Sequence, residues 1–309
     1  MQDAAFSFRR RRFALGLGAL GLGAIALPRV ALAQERFSHF VPSDEFAVER
    51  LIRISNLRDD DVVVDLGSGD GRIVFAAARA NAKVRGFGVD IQEDLVRKAN
   101  AQAQRDGLAD RVKFLHQNAF DADLSNVTVI YMWLFPDLTR LLRTKILAEA
   151  RPGTRVVVNS AAFSEQALLG NWRPDVTERD GHAPVLLWYV PARVEGYWNW
   201  EIALNGTRFA YDAVMQQQFQ VVEGSARVGN RRESFGETKL RGDELSFSFD
   251  VTLPEAGRTR HEFSGRVSGD QINGKVRLSM PEGRSMELPW LARRTTTSAW
   301  FRPTGVDLK

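Results

Sequence analysis

The chain has 309 residues, 44% of them hydrophobic and 26% charged, which is an ordinary globular composition with room for more than one domain. It contains no cysteine, which excludes disulfides, thiolate metal sites and a cysteine nucleophile; the four histidines, His39, His116, His182 and His261, show no metal-ligand spacing, so no metal is expected. The first 33 residues hold five arginines against one aspartate and carry the whole formal charge of +4; the remainder balances to zero, so nucleic acid is not expected as a partner.

In chain order, Arg9–Arg12 precede a Gly- and Ala-rich apolar run, Phe13 to Leu27, and Ala31-Leu32-Ala33-Gln34 follows as a small-x-small cleavage pattern. The three parts stand in signal-peptide order, and Arg10-Arg11-Arg12-Phe13 fits the core of a twin-arginine signal. Residues 1–33 are therefore expected to export the body to the periplasm or beyond. The alternative is an uncleaved membrane anchor, for which the run is short against a hydrocarbon core of about 30 Å. Membrane contact is expected only through this segment.

Asp61-Val-Val-Val-Asp-Leu-Gly-Ser-Gly-Asp-Gly-Arg-Ile73 is the most informative stretch. Three consecutive β-branched residues predict a buried parallel strand, and a helix is expected from Ile73 onward. Gly67, Gly69 and Gly71 between them let the backbone turn sharply and approach a ligand closely. The spacing is not the G-x-G-x-x-G of dinucleotide sites, and Asp65 beside such a turn would repel a phosphate. It suits a ligand carrying an ammonium and a sulfonium, which makes S-adenosylmethionine the expected cofactor; in families with this motif the glycine turn abuts the methionine part, which implies Asp65, Gly67, Ser68, Gly69 and Gly71 there. A second strand, Val84 to Asp90, ends in an acid that can accept from both ribose hydroxyls. After a helix over Glu93–Gln104 and a third strand at Val112–Leu115 comes the loop His116–Phe120, where families with this motif usually recognise adenine; that implies Asn118, with Ala119 beside it, although many relatives have aspartate there. Asp70 and Arg72 are read as stabilising the glycine turn, with a reach toward the mouth of the site as the alternative.

Four further segments complete the pattern: Phe40–Glu49 before the first strand, Val129-Ile-Tyr-Met-Trp-Leu-Phe-Pro-Asp-Leu138, Arg151-Pro-Gly-Thr-Arg-Val-Val-Val-Asn-Ser160, and Asn171-Trp-Arg-Pro-Asp175. With these in view, Phe40 to Arg193 resembles the seven-strand, class I methyltransferases that act on lysines of the mitochondrial ATP synthase c-subunit and the adenine nucleotide translocase, together with bacterial methyltransferase-like relatives. The resemblance implies a Rossmann-like α/β domain and a methyl acceptor that is a protein lysine amine or a small molecule. Trp133-Leu134-Phe135-Pro136 lacks the Asn/Asp-Pro-Pro-aromatic arrangement that orients a nucleobase amine. Tyr131, Asp137, Asn159 and Ser160 are candidates for contacts to the acceptor, or are hydrogen-bonded strand ends.

Beyond Val190 the helical period disappears. Trp198, Trp200, Ile202 and Leu204 alternate with polar or small residues, Asn205-Gly206 is a hairpin signal, and Gly242-Asp-Glu-Leu and Gly269-Asp-Gln-Ile look like two copies of a turn-plus-strand unit. The expected organisation is a signal at 1–33, a methyltransferase domain at 34–192 and an antiparallel all-β barrel or sandwich at 193–309, whose interior is a core or holds an apolar ligand. A competing function is an exported ligand- or partner-binding protein that keeps the fold without turnover.

Overall fold

Val62-Val-Val-Asp-Leu66 forms β1, whose central residues are wholly buried. In the computed structural model, which describes residues 44–160, 163–254 and 256–296, β1 lies third in a sheet of seven strands. The expected export signal and the start of the Phe40–Glu49 segment lie outside the described residues. The elements run α1 (Glu45–Ser55), β1, α2 (Arg72–Ala80), β2 (Arg85–Asp90), α3 (Glu93–Arg105), β3 (Val112–His116), β4 (Val129–Met132), α4 (Pro136–Glu149), β5 (Arg155–Asn159), α5 (Glu165–Leu169), β6 (Val176–Glu178) and β7 (Val185–Tyr189). The sheet order is β3-β2-β1-β4-β5-β7-β6; β1 to β5 are parallel, and β7 runs antiparallel between β5 and β6. That reversed strand separates the sheet from the dinucleotide-binding order 3-2-1-4-5-6.

Local chemistry sets the helix ends. Asp44 caps α1 by accepting from Ala47 N at 2.8 Å, and Asn56 closes it in the left-handed region at φ 46°. The last carbonyls of α1 are met by Arg155, which donates to Ser55 O (2.6 Å) and Asn56 O (2.7 Å) and forms a buried ion pair with Asp61. Arg50, on the inner face of the same helix, donates to Ala183 O at 2.7 Å and pairs with Asp180 at 2.9 Å, tying α1 to the β6–β7 connection.

The second half of the described chain is all strand: β8 (Gly196–Leu204), β9 (Thr207–Gln218), β10 (Val221–Val228), β11 (Arg231–Ser234), β12 (Gly236–Arg241), β13 (Glu244–Leu253), β14 (Gly257–Ser268), β15 (Gln271–Ser279) and β16 (Ser285–Thr295). The sheet order is β11-β10-β9-β8-β16-β15-β14-β13-β12, so first and last strands pair. The two edge strands are separated in sequence by Phe235 alone. Its N–H donates to Gly224 O on β10 at 2.8 Å, while Gly236 pairs with Ser248 on β13. Residues 231–241 are thus one bent strand, and the sheet closes on itself through it. Of the barrel and sandwich expected, the structure is the barrel, a meander that leaves no long edge open.

A barrel of this size can be filled by its own side chains or hold one small ligand, and which of the two applies is decided by what lines it. Trp200, Tyr211, Phe247, Phe263 and Trp290 fill it, with Trp200 and Trp290 edge to face at 5.9 Å. Its interior is a core, which answers the ligand-cavity expectation. His261 lies within it, between Tyr211 Oη (2.9 Å) and Thr259 O (3.1 Å); burial depresses its pKa to about 4, so it is neutral around pH 7. Asn205 and Gly206 both take positive φ in the β8–β9 turn, and Gly242 and Gly269 do so before β13 and β15, as the hairpin signals predict. Both sheets belong to one compact unit.

Candidate active site

The C-terminal ends of the parallel strands carry the glycine turn. Gly67, Gly69 and Gly71 have φ of 93°, 52° and 84°, a region costly for any residue with a Cβ. A Cβ on Gly67 would lie 2.6 Å from Leu134, and one on Gly71 2.5 Å from the Phe114 ring. Gly67 N and Ser68 N both donate to Val89 O at 2.9 Å, joining the turn to β2. Asp90 at the end of β2 holds the turn from the other side: one carboxylate oxygen accepts from Gly69 N and the other from Gln92 N, each at 2.8 Å. Each oxygen keeps a further lone pair for a hydroxyl group.

Asp65 is 2% exposed, and its Oδ1 has no hydrogen-bond partner; the buried Ser68 Oγ has none either. Burial, then the charges of Asp90 and Asp70, push the Asp65 pKa up to about 8. A buried carboxylate left without a donor beside a glycine turn is a site built for a cationic group. Asp70 is engaged elsewhere, bonded by Arg72 Nε at 2.9 Å; burial works to raise its pKa, but the Arg72 hydrogen bonds and charge outweigh it and hold the pKa low. This is the loop-stabilising role. Asn118 spends its carbonyl oxygen on Phe120 N (3.0 Å), capping the 3-10 turn that starts at Ala119, so its amide group is what remains for an adenine. Asn118 and Ala119 stand beyond the end of β3, next in the sheet to β2 and Asp90.

The candidates for acceptor contacts divide. Tyr131 is a correction: its side chain is wholly buried beneath α1, its hydroxyl donates to Ser55 Oγ at 2.9 Å, and burial raises its pKa. It packs the fold. Asp137 lies in the first turn of α4, open to solvent and paired with Arg140, where a carboxylate complements the helix N-terminus. Asn159 and Ser160 are buried at the end of β5, and Ser160 Oγ has no partner. Phe135 and Phe163 are half-exposed just beyond the ends of β4 and β5, edge to face at 6.1 Å, while Trp133 is partly buried against the core beneath α1 and α2. In the sequence Phe135 stands out only as part of the strand end, and Phe163 does not stand out at all, because it precedes α5 without any motif.

The model of the ANTKMT methyltransferase domain matches residues 65–175. The protein-lysine N-methyltransferase of Saccharolobus islandicus (strain REY15A) is 35% identical over 135 residues, covering 44% of this chain and 80% of that enzyme. The chain belongs to this methyltransferase family. The Rattus norvegicus lysine N-methyltransferase named for the ATP synthase c-subunit is 29% identical over 142 residues, 46% of this chain and 62% of that enzyme. An RNA methyltransferase from Salinibacter ruber, solved with S-adenosyl-L-homocysteine, is 38% identical and covers 50% of this chain and 96% of that one, with a TM-score of 0.46. By its family the chain is an S-adenosylmethionine-dependent methyltransferase, and the reading as a binder without turnover finds no support. The orphaned Asp65 carboxylate, the glycine turn and the remaining acceptor capacity of Asp90 fit that cofactor's ammonium, methionine and ribose groups.

Proposed function

We propose that this methyltransferase modifies a lysine amine of a protein. The observation that carries the reading is the aromatic pair Phe135–Phe163 above a buried, unpartnered Ser160 Oγ at the end of β5. The names of the archaeal and rat relatives, both lysine methyltransferases, point the same way. Asp65, Gly67, Ser68, Gly69 and Gly71 hold the methionine part of the cofactor, Asp90 the ribose, and Asn118 with Ala119 the adenine.

Bound S-adenosylmethionine supplies a methyl carbon already activated by a sulfonium. The chain's own task is to present a neutral amine in line with it and to exclude water. Lysine arrives protonated. Walls of phenylalanine remove water from the ammonium and lower its pKa, so the proton leaves to solvent without a dedicated base. Ser160 Oγ then accepts an N–H of the neutral amine and turns its lone pair toward the cofactor side.

Tritiated cofactor and an array of lysine-centred peptides, each with an arginine control, test this. Label is expected on lysine peptides only, and Phe135→Ala is expected to lower transfer by about ten- to a hundredfold, the worth of one buried aromatic contact, with cofactor affinity unchanged. Label on RNA or on small amines and none on lysine peptides would contradict it. We also propose that residues 1–33 are a twin-arginine export signal, which sequencing the N-terminus of the mature protein tests.

A further inference from the structure

We propose that Phe219, a residue of the barrel, is a positioning residue for the acceptor mouth; this rests on the reading of Phe135 and Phe163 as that mouth. Phe219 and Gln220 form the two-residue turn between β9 and β10, where Gln218 pairs with Val221. Such turns favour Gly or Asn because φ must be positive. Phe219 nevertheless stands there at φ 55°, an uncommon and strained conformation for a bulky residue. The ring turns away from the barrel and packs, partly buried, against the core between the seven-stranded sheet and α4–α5.

There the ring stacks on the fully buried Trp172, centroids 6.0 Å apart and planes 15° apart, and the Arg143 guanidinium lies 5.5 Å from its centroid. Arg143 also donates to Leu169 O at 2.7 Å, satisfying the last residue of α5. One aromatic ring from the barrel therefore braces α4 and α5 together. These two helices carry the mouth: Phe135 immediately precedes α4, about 12 Å along the axis from Arg143, and Phe163 stands two residues before α5. Beside the ring, Gln220 of the same turn donates to Arg173 O at 2.5 Å, and further contacts of the joint lie at the opposite end of the sheet from the glycine turn: Arg241 donates to Tyr189 Oη at 2.9 Å, and Ala192 N to Gly242 O at 2.7 Å. Tyr189 pairs with Arg155 at the start of β5, whereas the glycine turn follows the C-terminal end of β1. The barrel is thus placed to act on the acceptor side through α4–α5 while leaving the cofactor side untouched.

The test places 4-fluorophenylalanine at position 163 in the full chain and compares Phe219→Asn, Phe219→Leu and Phe219→Tyr with the parent. Asparagine suits the turn and removes the ring, so the hairpin is kept while the brace is lost. The fluorine resonance of residue 163 is expected to shift in Phe219→Asn and less in Phe219→Leu. Amides of α4 and α5 are expected to exchange roughly tenfold faster in Phe219→Asn, with S-adenosylmethionine affinity within about twofold of the parent, since no cofactor group is touched. Phe219→Tyr is expected to restore the parent signal. An unchanged resonance and unchanged α4–α5 exchange in folded Phe219→Asn or Phe219→Leu would overturn the proposal, as would a loss of cofactor affinity equal to the change at the mouth. Failure of the mouth reading itself shows separately, as unaltered transfer by Phe135→Ala.

Discussion

Replacing Arg155 by alanine is expected to destabilise the fold by about 3–5 kcal/mol, the cost of leaving one partner of a buried ion pair uncompensated. Arg155 and Asp61 are both almost fully buried, and neither has water to turn to. Asp61 would keep its bonds from Arg58 N (2.6 Å) and the Thr128 hydroxyl (2.7 Å) but lose its countercharge. The carbonyls of Ser55 and Asn56 would lose their donor in the same step, freeing the end of α1. Urea denaturation reads the loss as a lower midpoint at unchanged slope. The double variant Asp61→Leu with Arg155→Met should recover part of the stability, because no charge is then left buried while the Ser55 and Asn56 carbonyls still lack their donor. A loss below about 1 kcal/mol in Arg155→Ala, the range of an exposed pair, would show that the pair is not closed to water.

The second large effect is on the cofactor. Asp90→Ala is expected to weaken S-adenosylmethionine binding by at least about tenfold, since losing charge-assisted hydrogen bonds costs roughly 1.5–3 kcal/mol. The residue does two things at once. Its carboxylate fixes the turn through Gly69 N and the start of α3 through Gln92 N, and in the proposed function its remaining lone pairs accept from the ribose hydroxyls. Asp90→Asn should fall between, because an amide keeps one accepting oxygen but neither the charge nor the second acceptor. Calorimetric titration measures the loss, with circular dichroism to show that the sheet is intact. Parent-like affinity in Asp90→Ala would remove the ribose role from this residue.

The contrast between what could and could not be read from the chain is physical. Val62–Val64 and the three glycines are local signals: β-branched residues in a row and spacings that demand positive φ. They point directly to the glycine turn and to Asp65 beside it. Tyr131 misled because a strand end says nothing about which face a side chain takes; its face is the one covered by α1. The Asp61–Arg155 pair spans 94 residues and leaves no local pattern. Arg50 broke the apolar stripe of α1 and was hidden by its charge. Whether the strands after Gly196 close as a barrel depends on one bend at Phe235, which alternation does not encode. Phe219 reads as a stray apolar residue in a turn, and only its distant neighbours, Trp172 and Arg143, give it meaning. The capping role of Asn118 is a local signal, since an asparagine just before a short turn is a capping residue.

The cofactor site is tested most directly by titrating the full chain with S-adenosylmethionine at about pH 6.5 in two buffers of different ionisation enthalpy. With its pKa pushed up to about 8, Asp65 is protonated at that pH before the cofactor arrives. A cation placed against it favours the carboxylate, so binding lowers the pKa and expels a proton to the buffer. The predicted result is binding with release of close to one proton, fading above about pH 8 and absent in Asp65→Asn. A folded parent that binds no S-adenosylmethionine would contradict the cofactor assignment at its centre, and binding with no proton release would remove Asp65 from the site.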